Sequence, residues 1–175
     1  GMQVIIELLI QHTSDAHPWF QQARRNPQSP FRDYYLWSDN DDDDTPPMFP
    51  GVEKSIWSWD EEAGQYYRHM FYRHEPDLNL ASPAVLKEID NIILFWLKLG
   101  VSGFRLDAAS HLTKQAGRGD EKKGLWILEH MRQLIEQHNP DAILLGEVDV
   151  EVEEYKDYFG DNDRLNLVLN FWLNK

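Results

Sequence analysis

The segment Gly103-Phe104-Arg105-Leu106-Asp107 alternates apolar and charged side chains. Successive side chains of a strand point to opposite faces, so Arg105 and Asp107 share one face while Phe104 and Leu106 share the other. The apolar pair suits a layer of covering helices. The charged pair then stands on the opposite face, at the strand's carboxyl end. A helix leads into this strand. Ser82-Pro83 supplies an N-cap and a proline at the first helical position. Val85, Ile89, Ile92, Ile93, Trp96 and Leu97 follow at helical spacing, and Gly100 closes the helix.

The same rhythm extends both ways. Downstream, a loop rich in glycine and charge precedes a second helix with Leu125, Leu128, Met131, Leu134 and Ile135 on one face, stopped at Asn139-Pro140. Residues 142–146 read as a third strand, 150–158 as a short helix ended by Gly160, and 165–171 as a fourth, apolar strand. Upstream, residues 4–10 are short, apolar and β-branched, as a buried parallel strand is. Strand and helix in strict alternation imply parallel strands with right-handed crossovers. The fold class is therefore α/β. A closed (β/α)8 TIM barrel has eight βα units and typically takes ~250 residues, so about four units amount to a partial barrel. The alternative, an open doubly wound sheet, lacks its glycine-rich phosphate loop here. Between His12 and Ala81 the rhythm is lost. This stretch holds most of the prolines and aromatics. At roughly 70 residues it is too long for a plain loop, so an irregular insert with its own packing is expected. The expected organisation is a partial barrel over 2–11 and 82–175, with an insert over 12–81.

Composition sets the outer limits. The 175 residues suffice for one domain of ordinary size, and 42% hydrophobic with 27% charged residues is a globular mixture. There are 30 acidic against 17 basic side chains, a net charge of -13, which argues against a nucleic-acid partner. No apolar run reaches the length of a transmembrane helix, so no membrane partner is expected. Gly1-Met2-Gln3 shows no secretory pattern, and Gly1 before Met2 reads as a tag-cleavage residue. With no cysteine, disulfides, thiolate metal sites and Cys nucleophiles are excluded. The expected compartment is cytoplasmic.

Three strand ends carry chemistry. Arg105 stands two residues from Asp107, and a nearby cation favours the ionised carboxylate. An ionised, positioned Asp is what nucleophilic attack at a sugar carbon requires. A structural ion pair at a strand end accounts for the same spacing equally well. Glu147 ends the nearly apolar third strand and would stand at the same rim, one strand over. With neighbouring strands roughly 4.8 Å apart, two such carboxyls can approach the ~5–5.5 Å of a retaining glycosidase pair. A buried Glu with a raised pKa serves as a general acid, whereas the plainer role is a cap for the helix starting at Val150. His12 ends the first strand and can donate to a substrate hydroxyl, although a lone His is more often a satisfied rim residue.

Together these residues form a pattern. The segment Val4-Ile5-Ile6-Glu7-Leu8-Leu9-Ile10-Gln11-His12-Thr13-Ser14-Asp15, the segment 103–108 and Leu145-Gly146-Glu147 occur in this order and spacing. They resemble the first three signature regions of the α-amylase superfamily, glycoside hydrolase family 13. Within the insert, His17-Pro18-Trp19-Phe20, Arg32-Asp33-Tyr34-Tyr35-Leu36-Trp37-Ser38, Trp57-Ser58-Trp59-Asp60, Gly64-Gln65-Tyr66-Tyr67 and Glu75-Pro76-Asp77-Leu78-Asn79 resemble the trehalose synthase and oligo-1,6-glucosidase branch. The resemblance implies a (β/α)8 barrel with a B domain inserted after the third strand, and retaining chemistry on α-glucosidic bonds of an α-glucoside or α-glucan oligosaccharide. It implies Asp107 as nucleophile, Glu147 as general acid/base, Arg105 beside the nucleophile, His12 at the sugar subsite next to the cleaved bond, and His111 near the leaving-group sugar. The insert's aromatics can stack on sugar rings, but a mini-core accounts for most of them.

The chain departs from the family in three places. Region one of the family reads Asp-x-x-x-Asn-His, and here Glu7 and Gln11 are each one methylene longer. Their spacing of four on one strand face suggests one site altered twice. The family's Asn takes part in calcium binding, so Gln11 predicts no calcium, and no cofactor or other metal is expected. The family's fourth region, a His-Asp pair, has no counterpart up to Lys175, and the chain corresponds to strands three to six. Little or no α-glucosidase turnover is therefore expected of the chain by itself. The alternative function is an inert fragment with a structural or interaction role. The acidic tract Asn40-Asp41-Asp42-Asp43-Asp44 lacks the Gly and closing Glu of a calcium loop and reads as a solvated, mobile loop. Edge strands 4–10 and 165–171 invite pairing, and a homodimer through them is expected.

Overall fold

The computed structural model describes residues 1–169. Its elements run β1 (Ile5–Leu8), α1 (Pro18–Arg25), β2 (Trp37–Ser38), β3 (Trp57–Asp60), β4 (Gln65–Arg68), α2 (Pro83–Lys98), β5 (Gly103–Leu106), α3 (Ala109–Ala116), α4 (Glu121–Gly124), α5 (Trp126–His138), β6 (Ile143–Glu147), α6 (Tyr155–Phe159) and β7 (Leu167–Leu169). Two compact units result. One joins Gly1–Leu9 to the chain from Lys87 onward, and the other is Ile10–Leu86.

The first unit is a four-stranded sheet in the order β1-β5-β6-β7, parallel throughout. The α/β class and its parallel strands are as the sequence predicts. Glu7 lies opposite Arg105, Arg105 opposite Leu145, and Leu106 opposite Gly146. Leu8, Phe104, Leu106 and Leu144 form the buried face, packed with Ile127, Leu128, Met131 and Ile135 from α5. Burying such side chains gives about 1.5–3 kcal/mol each, which makes this layer the main support of the sheet. Two glycines let the strands close up. A Cβ on Gly103 would collide with the backbone carbonyl of Ile143, and one on Gly146 with the side chain of Leu165. Asn166 fixes the last strand by accepting from Leu144 N–H at 2.7 Å and donating its own N–H to the Leu144 carbonyl at 2.8 Å.

Three expectations change. The first strand is four residues long, not seven, and it is not buried. Ile5 is 44% exposed, because β1 has β5 as its one strand neighbour among the described residues. The segment after β5 is no loop. It forms α3, which buries Ala109, Leu112, Thr113 and Ala116, and the short α4 capped by Asp120. Glycines at 117, 119 and 124 mask this helix in the sequence, although Leu112 and Ala116 carry its four-residue spacing. Of the fourth strand, residues 167–169 are seen, and its expected end at Asn170 and Phe171 lies outside the described residues.

The second unit holds α1 and a three-stranded antiparallel sheet in the order β2-β4-β3. Its core is aromatic. Phe20 meets Tyr35 and Tyr67 edge-on, with centroids 5.0 and 5.2 Å away, and stacks on Trp37. Ion pairs hold the periphery, Arg24 to Asp60 at 2.8 Å and Arg73 to the buried Glu53 at 2.9 Å. In the acidic tract, Asp41, Asp42 and Asp44 are exposed. Asp43 instead accepts from the Trp57 indole at 3.3 Å and from Thr45 N–H at 3.0 Å. His69 is fully buried, with Nε2 2.8 Å from the Ser58 hydroxyl.

Burial pushes the His69 imidazole down from 6.5 to about 4, with Arg73, Arg68 and His74 adding to the shift and Glu53 opposing it. The unfolded chain therefore takes up a proton that the folded chain refuses. Stability is expected to fall as pH drops from 6.5 towards about 4. Urea midpoints measured across that range check this, and His69→Gln, which cannot titrate, should flatten the decline.

Candidate active site

The register of the sheet assembles a cluster of charge. Beyond the Leu106–Gly146 pair, both strands advance one residue, to Asp107 and Glu147. Glu7, Arg105 and Glu147 all lie on the face opposite the helix-covered one, as alternation requires. Arg105 Nη1 donates to Asp107 Oδ1 at 2.7 Å and also to Glu7 Oε1, while Nη2 donates to Glu147 Oε2. Arg105, Asp107 and Glu147 are each about 30% exposed, between 28% and 31%, so solvent screens this cluster only in part.

Ala108, next after Asp107, has φ 39° and ψ 51°. A non-glycine residue in this left-handed region costs of order 1–3 kcal/mol and persists only where its surroundings impose it. Here it turns the chain sharply from β5 into α3 and gives Glu147 a backbone N–H bond from Ala108. Burial raises the Glu147 carboxyl above the usual range, and the hydrogen bond and negative charge of Asp107 raise it further. Arg105 and the Ala108 N–H pull the other way. The result is an acid that holds its proton beside a carboxylate that can accept a hydrogen bond from it.

His111 lies on α3 and is half-buried. Burial lowers its imidazole pKa, Lys114 adds to this and Asp149 opposes it. His12 belongs to the second unit, where its backbone bridges Asp77 and its ring lies 5.6 Å from that of Phe71. Its Nε2 is 3.9 Å from Glu75, beyond hydrogen-bond reach, and its buried Nδ1 has no hydrogen-bond partner among the described residues. Asp77 is fully buried against Arg68 and accepts from Met70 N–H at 3.2 Å. The structure thus brings Arg105, Asp107 and Glu147 together. Gln11 does not share a strand face with Glu7, because β1 ends at Leu8. Glu7 was legible as a departure from the family pattern, but not as a ligand of Arg105, since that needs the strand register. Among the described residues no group of three His, Asp or Glu side chains is arranged to hold a metal ion. No helix there is long and apolar enough to cross a membrane.

Parallel strands with paired carboxyls at their carboxyl ends are the arrangement of barrel glycosidases. Residues 1–175 match the family described as "Alpha amylase, catalytic domain", and the chain belongs to it. It is 45% identical to the trehalose synthase of Thermus thermophilus, covering 98% of this chain and 18% of that protein. It is 34% identical to the oligo-1,6-glucosidase of Heyndrickxia coagulans, covering 98% of this chain and 34% of that one. The crystal structure of Bacillus licheniformis trehalose-6-phosphate hydrolase superposes with a TM-score of 0.84 at 28% identity, over 98% of this chain and 34% of that one. The sheet and its helices therefore match part of a (β/α)8 barrel. The chain spans about a fifth to a third of the length of these relatives.

Replacing Arg105 leaves three carboxylates without their common cation. Arg105→Gln is expected to move the Glu147 midpoint up and to destabilise the fold by about 1–2 kcal/mol at neutral pH. The loss should shrink on acidification, as the carboxylates take up protons. Carboxyl NMR titration and urea unfolding at two pH values check both.

Proposed function

We propose that the chain carries the reacting pair of a retaining enzyme acting on α-glucosidic bonds, of the α-glucosidase or trehalose synthase-like class. The observation that supports this is the Asp107–Glu147 pair at adjacent strand ends, spanned by Arg105. Asp107 attacks the anomeric carbon while Glu147 gives its proton to the departing glycosidic oxygen, forming a glucosyl ester on Asp107. Glu147, now ionised, takes a proton from water or a sugar hydroxyl, which displaces Asp107 with net retention. His12 and His111 are the sugar-contacting residues of this reading, and the insert is its B domain. The substrate class is an α-glucoside or α-glucan oligosaccharide, and the reaction needs no cofactor. An activated glucosyl fluoride whose second step is slow should add one glucosyl unit to Asp107, located by peptide mass mapping. Label on another residue, or label that persists in Asp107→Asn, overturns the reading.

The small share of its relatives that the chain spans favours a second reading, in which the same site is inert in this section alone. A chromogenic aryl α-glucoside is then turned over at background rate. Turnover that disappears in Asp107→Asn rejects this second reading.

We also propose that the chain pairs with a second copy of itself through its sheet edges, in a cytoplasmic setting. Val4, Ile5 and Leu9 at β1 and Leu167 at β7 are large apolar side chains 44% to 53% exposed. Exposed apolar strand edges of this kind recruit further strands. Sedimentation at micromolar concentration should show a dimer, and a Lys at Ile5 should return it to monomer.

A further inference from the structure

Arg105 carries one carboxylate more than the reaction uses. Glu7 stands directly across from it in β1, on the same face of the sheet, with its side chain 51% exposed. Its carboxylate bonds Nη1, the nitrogen that also serves Asp107. Nη1 has two N–H groups, so Glu7 takes one and leaves one for Asp107. Nη2 goes to Glu147. An arginine facing a carboxylate otherwise prefers to bind it through two parallel N–H bonds. We propose that Glu7 is a positioning residue of this site, anchoring Arg105 from the neighbouring strand so that Asp107 keeps a single bond to it and one oxygen free.

This inference rests on the reading of Asp107 and Glu147 as the reacting pair. The longer arm of Glu7 is what spans the gap between strands to reach a guanidinium already engaged on its far side. The groups that face Glu147 are Asp107, Arg105 and the Ala108 N–H. With Glu7 in place, three carboxylates share one cation. Without it, the guanidinium is released to pair more closely with Glu147 and Asp107, and one negative charge leaves the cluster. Both changes favour an ionised Glu147.

The test is a carboxyl-carbon NMR titration of Glu147, assigned with Glu147→Gln, in the parent chain and in Glu7→Gln, Glu7→Ala and Glu88→Gln. Glu88, on α2, belongs to the same unit and serves as a remote control. The Glu7 variants should lower the Glu147 midpoint by on the order of half a pH unit, and Glu88→Gln should leave it in place. A midpoint unmoved in both Glu7 variants, or moved as far by Glu88→Gln, overturns the proposal. Glu7 is half-exposed, and amide spectra confirm that each variant folds. The titration uses no glycoside, so failure of glucosyl labelling at Asp107 refutes the functional reading and leaves this measurement standing.

Discussion

Three carboxylates converge on the guanidinium of Arg105, and the upper end of the parallel sheet is organised around that single cation. Each acid comes from a different position in the chain: Glu7 from β1, Asp107 from the turn after β5, and Glu147 from the end of β6. Like charges brought this close would drive the strand ends apart in the absence of a counter-ion. The cation is planar and forked, so it fixes directions as well as neutralising charge. The helix-covered face supplies the stability that permits this. Phe104, Leu106 and Leu144 are wholly buried one residue out of phase with the charged set. Sheet alternation thus separates the support from the chemistry along the same few residues.

Much of this was legible in the sequence. The strand at 103–107 showed its two faces in its alternation, and Gly146-Glu147 showed an acid at the end of an apolar run. These signals survive because they depend on local periodicity and on motifs of known order. The helix α3 was not legible, since three glycines around it lower helix propensity and its stability comes from packing of Leu112, Thr113 and Ala116. The length of β1 was not legible either. An apolar run records what side chains prefer, whereas the strand ends where pairing with β5 ends. The bond between Glu7 and Arg105 joins residues 98 apart in sequence, and only the register of β1 on β5 reveals it.

The second unit follows other rules. Its sheet is small and antiparallel, and its core is built from rings such as Phe20, Tyr35 and Tyr67 rather than from aliphatic layers. Rings bury large areas from few positions, which suits an insert with little regular structure. Buried charge is paired within it, as Asp77 is with Arg68 and Glu53 with Arg73. His69 is the exception, a buried base held neutral, and it gives this unit its sensitivity to acid.

Gly103 has no functional group and lies at the far end of β5, four residues and about 13 Å of strand from Asp107. Its bare α-carbon is nevertheless what lets β5 lie against the backbone of Ile143 on β6. The two strands end in Asp107 and Glu147, so the gap between those acids is measured from a hinge at their opposite ends. A methyl group at position 103 would act as a wedge, prising the strands apart where no substrate reaches. In a survey of variants, such a site would score as intolerant without any chemical reason at the position itself. The tolerance of the pair's geometry is in this sense written into a missing side chain.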